Sequence, residues 1–291
     1  MGYIIGIFNR KGGVAKTTSC INIGAIMATM GKKVLLVDGD SQRNLTQFFY
    51  RDNPDMFAYD EEIMSEDLID SIPNLRDVLV GDKTWDEAIK TLTYKATLRD
   101  KKTHRFRKIT TSFDVVPTDR FLDYYEGENI NSLRDSIQEI KGRYDYILID
   151  FPPAYDVRTV TYLVGCDYVI APMHLAKESS IMGYKDLLVK CREIIDKWGN
   201  KDLKILGAFY TNVMIYKKDQ KEMFDMSMER EIREGMRFFR TSIPSGYAAI
   251  QRSEEDHRPL IFGQASEKVT VAYKNLVKEI IKRIREDEKN G

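Results

Sequence analysis

Apolar positions along the chain come in two rhythms. Short unbroken runs predict strands covered on both faces, as in a parallel sheet. They begin at Tyr3 (YIIGI) and recur at Lys33 to Val37, Phe113 to Val116, Tyr146 to Ile149, Tyr168 to Pro172 and Leu203 to Thr211. Between them apolar residues return at helical spacing. Ile21, Ile23, Gly24, Met27 and Ala28 give one apolar face, and Gly31 stands where a helix stops. Further helices are predicted over Asn131 to Lys141, from Glu178 to Trp198, over Lys217 to Arg240, and through Val269, Ala272, Tyr273, Leu276, Ile280 and Ile284. Strands alternating with helices predict an α/β fold, a doubly wound and mostly parallel sheet flanked by helices. Residues 51–112 break the rhythm. Residues 52–73 are charged and turn-rich, Leu75 to Val80 and Trp85 to Leu92 have the spacing of short helices, and Thr93 to Ser112 suits a hairpin. The expectation is one domain over residues 1–291 with a divergent excursion at about 51–112.

Composition narrows the setting. The 291 residues carry 45 lysines and arginines against 45 acids, so no global field selects a nucleic acid or a membrane. Cys20, Cys166 and Cys191 are far apart and form no C-x-x-C pair, which argues against a disulfide framework and a zinc site. The first strand begins by Tyr3, leaving no room for a signal peptide, and no apolar run approaches the ~18 residues of a membrane span. The reading is a cytoplasmic protein.

The chemistry concentrates where the first strand meets the first helix. Tyr3 to Thr18 reads YIIGIFNRKGGVAKTT: strand, glycine turn, then a helix opening at Lys16-Thr17-Thr18. Backbone N–H groups of such a turn, with the positive end of a helix behind them, cradle phosphate. Lys16 would reach the β- and γ-phosphates, and the Thr17 hydroxyl would ligate Mg²⁺. The usual G-x-x-x-x-G-K-[ST] spacing is broken, because Arg10 and Ala15 occupy its glycine positions. If Ala15 needs positive φ, its Cβ is strained by on the order of 1 kcal/mol. Two further strands end in acids, at Asp38-Gly39-Asp40-Ser41-Gln42 and at Asp150-Phe151-Pro152-Pro153. In open α/β sheets ligands lie beyond the carboxyl ends of the strands.

The octet K-G-G-V-A-K-T-T, with its additional Lys11, resembles the deviant P-loop of the ParA/MinD family of ATPases. The resemblance covers residues 1–50, 113–215 and 238–285, is closest to the Soj-like ParA partition ATPases, and implies the P-loop NTPase fold. It implies ATP/ADP and Mg²⁺ as cofactors. Lys11, Gly12, Gly13, Val14, Ala15, Lys16, Thr17 and Thr18 would hold the phosphates, and Thr211, Asn212 and Pro244 the base. Thr17 would ligate Mg²⁺, with Asp38 and Asp150 as its outer supports. Asp40 would orient the attacking water. Lys11 would cross a dimer interface to the partner's phosphates, so that ATP joins a sandwich dimer and hydrolysis releases it.

The implied function is plasmid or chromosome partition. The ATP dimer would bind nonspecific DNA in the nucleoid until a centromere-binding, ParB-like partner stimulates weak hydrolysis. Lys217, Lys218, Lys221 and Arg252 are candidate DNA contacts, although interleaved acids leave 217–240 equally readable as a solvated face. Ser245 to Ala249 stand where chromosomal relatives carry arginines. The cluster Arg99, Lys101, Lys102, His104, Arg105, Arg107 and Lys108 is either a solvated loop or a contact surface for DNA or a partner. The alternative is a related positioning ATPase for a non-DNA cargo, or a membrane-associated switch. The latter needs an apolar amphipathic tail, and REDEKNG offers no such anchor. A reductase bridging its dimer with an iron–sulfur cluster needs paired cysteines that the chain lacks.

Overall fold

In a computed structural model, the described residues are 2–50, 70–99, 106–127, 129–174, 178–214 and 236–290, with scattered positions between 222 and 229. In chain order the elements are β1 Tyr3–Ile7, α1 Lys16–Thr29, β2 Val34–Asp38, α2 Asn44–Tyr50, α3 Leu75–Val80, α4 Trp85–Ala88, β3 Lys90–Arg99 and β4 Phe106–Val116. A 3₁₀ turn over Arg120–Tyr124 leads to α5 Ser132–Lys141, β5 Tyr146–Asp150, α6 Val157–Gly165, β6 Tyr168–His174, α7 Glu178–Trp198 and β7 Lys204–Thr211. The chain closes with α8 Tyr247–Glu255, α9 Leu260–Gly263 and α10 Lys268–Asn290.

The strands form one seven-stranded sheet in the order β3-β4-β2-β5-β1-β6-β7. Every neighbouring pair is parallel except the β3–β4 hairpin. Side chains alternate across a strand, and both faces here are covered. Ile4, Leu35, Val37, Ile147 and Ile149 enter the core beneath α5, α6 and α7. Ile5, Ile7, Leu36, Leu148 and Ile170 enter the core beneath α1 and α10. That two-sided burial is why the central strands read as unbroken apolar runs.

Two expectations about elements need correction. The helix expected over Trp85 to Leu92 ends at Ala88, and Lys90 already belongs to β3. Thr84 caps α4 with a reciprocal Thr84–Glu87 box. Beyond it Leu92, Tyr94 and Ala96 take the period-two burial of a strand, paired with Phe113, Thr111 and Ile109. The outer part of the expected excursion therefore extends the sheet. The helix expected over 217–240 does not reach Arg240: Phe238 bridges Ala208 of β7 in extended conformation. Lys217, Lys218 and Lys221 lie outside the described residues, as do 51–69 and 100–105.

Candidate nucleotide site

β1, β2 and β5 deliver their last residues to one end of the sheet, where Asp38 and Asp150 stand in register on neighbouring strands. The loop after β1 is held at its start by Asn9, whose Nδ2 donates to the Pro172 carbonyl (2.9 Å) while its Oδ1 accepts from the Lys11 N–H (2.9 Å). Gly13 and Ala15 both take left-handed backbone conformations, φ 69° and 67°. Ala15 is thus the strained position expected of a residue standing where glycine is usual. Its carbonyl accepts the Ser19 N–H (3.0 Å), which starts α1. From behind, the Thr211 hydroxyl bonds the Val14 and Met173 carbonyls, both at 3.2 Å.

Lys16 is buried, with its Nζ folded back toward the Lys11 carbonyl at 3.4 Å. Burial lowers its pKa, and the nearby Asp150 and Asp40 oppose that fall. Asp150 is fully buried, and neither carboxylate oxygen accepts a hydrogen bond of normal geometry. Burial and then the charge of Asp38 push its carboxyl well up, with the Thr17 hydroxyl and Lys16 pulling the other way. Asp38 is also raised by burial, to about 7, although Thr46 donates to its Oδ2 through N–H (2.8 Å) and hydroxyl (2.7 Å). The Asp40 N–H reaches Asp38 Oδ1 at 3.2 Å. Asp40 is raised by burial too, against the Gln42 N–H, Lys16 and Arg158. Three buried carboxyls and one buried ammonium share this end of the sheet, and unpaired buried charge is costly.

A cavity of 840 Å³ opens in front of the loop. Gly12, Gly13, Ala15, Lys16, Thr17, Thr18 and Asp40 line one side. The opposite wall is not signalled by any spacing in the sequence: Phe48 of α2 and Ile250, Ser253, Glu254 and His257 of the α8 region. His257 adopts φ 48°, and its Nδ1 lies 3.2 Å from the Phe48 carbonyl, joining the two elements of that wall. Asn22 Oδ1 accepts the Leu260 N–H at 2.9 Å, tying α9 to α1.

The other sequence-derived residues fall elsewhere. Lys11, partly buried, is not among the residues lining this cavity, and neither are Val14, Asp38, Asp150, Thr211, Asn212 and Pro244. Asp38 and Asp150 lie beneath it in the sheet. Asn212 Nδ2 sits 2.9 Å from His174 Nε2, and Pro244 bridges Val213. Arg252 is exposed on α8. No cluster of three metal-binding side chains occurs among the described residues. Mg²⁺ bound with a nucleotide does not need one, because it takes one or two protein oxygens and fills its shell with phosphates and water. The orphaned oxygens of Asp150 beside Thr17 fit that requirement.

A model of the AAA domain family matches residues 2–205. The chain is 28% identical over 288 residues to the sporulation initiation inhibitor protein Soj of Bacillus subtilis, covering 96% of this chain and 98% of that protein. It is 26% identical to the chromosome partitioning protein ParA of Caulobacter vibrioides, covering 97% and 95%. Among solved structures, cobyrinic acid a,c-diamide synthase from Mycobacterium smegmatis with bound ADP and magnesium superposes with a TM-score of 0.69 at 22% identity, covering 98% of this chain and 96% of that one.

Proposed function

The chain belongs to the AAA domain family and is a P-loop ATPase of the ParA/MinD type, and from that premise we propose that it partitions DNA by an ATP-controlled dimer cycle. The observation that carries the reading is the left-handed loop and buried Lys16 at one cavity, with the buried carboxylate of Asp150 in the sheet beneath them. A nucleotide triphosphate with Mg²⁺ supplies both charges that this juxtaposition calls for. Loop amides from Gly12 to Thr18 and Lys16 hold the phosphates. Thr17 ligates the ion and Asp150 supports it, with Asp38 set behind by Thr46. When bound, the ion neutralises charge developing on the phosphoryl oxygens.

Asp40 positions the attacking water. Repulsion from the triphosphate makes strong base catalysis by that carboxylate the weaker role. Lys11, which does not line its own cavity, completes the site of a second copy. Removal of the γ-phosphate then releases the dimer, an order-to-disorder switch. The base is assigned to Thr211, Asn212 and Pro244. The proposed partners are nonspecific DNA, contacted through Arg252 and the 217–221 lysines, and a ParB-like centromere-binding protein that stimulates hydrolysis. In that cycle the protein is cytoplasmic and nucleoid-associated in its ATP state, and residues 1–291 act as one ATPase domain.

Ser245 to Ala249, uncharged where DNA contact wants cations, favour a second reading: positioning of a non-DNA cargo. An electrophoretic shift on random-sequence DNA separates the two. Partition requires a shift with ATP, weaker with ADP, steeply reduced by salt and lost in Lys16→Ala. ATP turnover without any DNA shift would replace partition by the second reading.

A further inference from the structure

We propose that Gln42 is a further catalytic residue, whose side-chain amide frames the attacking water together with Asp40 and donates to the γ-phosphoryl group. The inference rests on the reading of Asp40 as the residue that orients this water. An ionised carboxylate can only accept hydrogen bonds, and a triphosphate beside it repels it. Asp40 alone would hold the water by its protons and offer nothing to the negative oxygens next to it. A neutral amide carries an acceptor and two donors and meets no such repulsion. In phosphoryl transfer the water-positioning role falls to side-chain amides as well as to carboxylates.

Gln42 is exposed and lines the cavity with Asp40, Lys16 and Thr17. Among the described residues its side-chain amide has no hydrogen-bond partner, which leaves its donors and acceptor to a ligand. Its backbone, by contrast, is fixed. The Gln42 N–H donates to Asp40 Oδ1 at 3.0 Å and the Arg43 N–H to the Asp40 carbonyl at 2.8 Å, so residues 40–43 close as one turn. Asp40 and Gln42 reach the cavity, whereas Ser41 and Arg43 are buried and anchor the turn. The Ser41 hydroxyl donates to Asp123 Oδ1 at 2.6 Å. Arg43, at φ 59°, sends Nη1 to Asp70 Oδ1 at 3.1 Å, and Arg120 Nε holds Asp70 Oδ2 at 2.8 Å. A left-handed arginine costs free energy and a buried ion pair contributes little net stability. What the two supply together is a turn with one fixed course. Asn44 and Gln47 also line the cavity, but they belong to α2, beyond the turn.

In hydrolysis the water oxygen bonds to the γ-phosphorus as the bond from phosphorus to the bridging oxygen breaks, and that electron pair leaves with ADP. One water proton ends on the phosphate released. Gln42 exchanges no proton: its Oε1 accepts from the water, and its Nε2 donates to a phosphoryl oxygen. Those bonds are worth most when water and phosphoryl group approach each other, so they act on kcat.

The test uses the full chain with Gln42→Met, which keeps the length of the side chain, and Gln42→Ala. Both variants should lower kcat about 10²-fold while ATP affinity by calorimetry stays within about twofold of the parent's. A second readout needs no turnover. ADP with aluminium fluoride and Mg²⁺ mimics the phosphoryl group in transfer, and its advantage over ADP alone should shrink at least about tenfold in both variants. An unchanged kcat, a loss confined to ATP affinity, or an undiminished advantage of the fluoride complex overturns the proposal. So does a fall in urea midpoint and ATP affinity together, the mark of a merely structural side chain. The underlying reading fails separately. If Asp40→Ala keeps the parent's kcat, Asp40 does not orient the water, while the two Gln42 variants still decide the role of Gln42. If the parent turns over no ATP, the fluoride titration alone decides it.

Discussion

At the scale of single residues, the loop carries a strain that its sequence announces. Ala15 sits at φ 67°, ψ 40°, where a Cβ is unfavourable by on the order of 1 kcal/mol. Ala15→Gly should therefore raise stability by up to about 1 kcal/mol in urea unfolding, less the added freedom of glycine in the unfolded chain; a clear loss of stability would show that the conformation is not strained. Thr46 has the opposite character. Its hydroxyl donates to Asp38 and accepts the Thr118 N–H at 3.0 Å, so Thr46→Val leaves the buried Thr118 N–H unpaired and takes one of its donors from Asp38, which keeps the residue 46 N–H. The expected loss is about 1–3 kcal/mol, and an unfolding midpoint equal to the parent's would contradict it. Tyr273 is buried against Ser19, and burial raises its phenol to about 12. The folded state then keeps a proton that the unfolded state has lost, so this contribution is full below about pH 10 and disappears as pH rises through 12. Tyr273→Phe should lose stability more gently between these limits, by up to ~1.4 kcal/mol per pH unit. Parallel pH profiles for the two proteins would rule out Tyr273 as a titrating group.

At the scale of elements, legibility follows the locality of the cause. β1, β2, β5 and β6 are readable because burial on both faces leaves one continuous apolar signal. The β3–β4 hairpin is readable too, with Thr93 opposite Ser112. The boundary between α4 and β3 is not. Trp85, Ala88, Ile89 and Leu92 have helical spacing, and only pairing with β4, set by residues beyond position 105, turns Leu92 into a strand residue. The site divides in the same way. Glycines, lysines and strand-end aspartates announce a phosphate loop within a few residues of one another. The far wall, His257 against Phe48, joins positions 209 residues apart and leaves no local trace. Asp38 is legible as a buried strand-end acid, whereas its engagement by Thr46 depends on how the chain turns after β2.

At the scale of the whole molecule, the proposed dimer makes a prediction that no single chain can satisfy. Lys11→Ala should bind ATP without productive dimerisation, and Asp40→Ala should dimerise yet hydrolyse poorly; losing one preorganised group commonly lowers rate about 10²–10³-fold. In a mixed dimer the site on the Lys11→Ala chain keeps its own Asp40 and borrows an intact Lys11. Mixing should raise turnover well above the sum of the separate variants, whereas a cis-acting Lys11 would leave both sites defective and turnover flat. The strand order has another consequence, in time. β2 can pair with β4, and β4 with β3, once residue 116 has been made, but β1 lies between β5 and β6 and has no sheet neighbour until residues 146–170 exist. On the ribosome, the strand that leads into the phosphate loop is synthesised first and seated among the last. For half the chain's synthesis an apolar segment stays without its partners, the kind of exposure that nascent-chain chaperones meet.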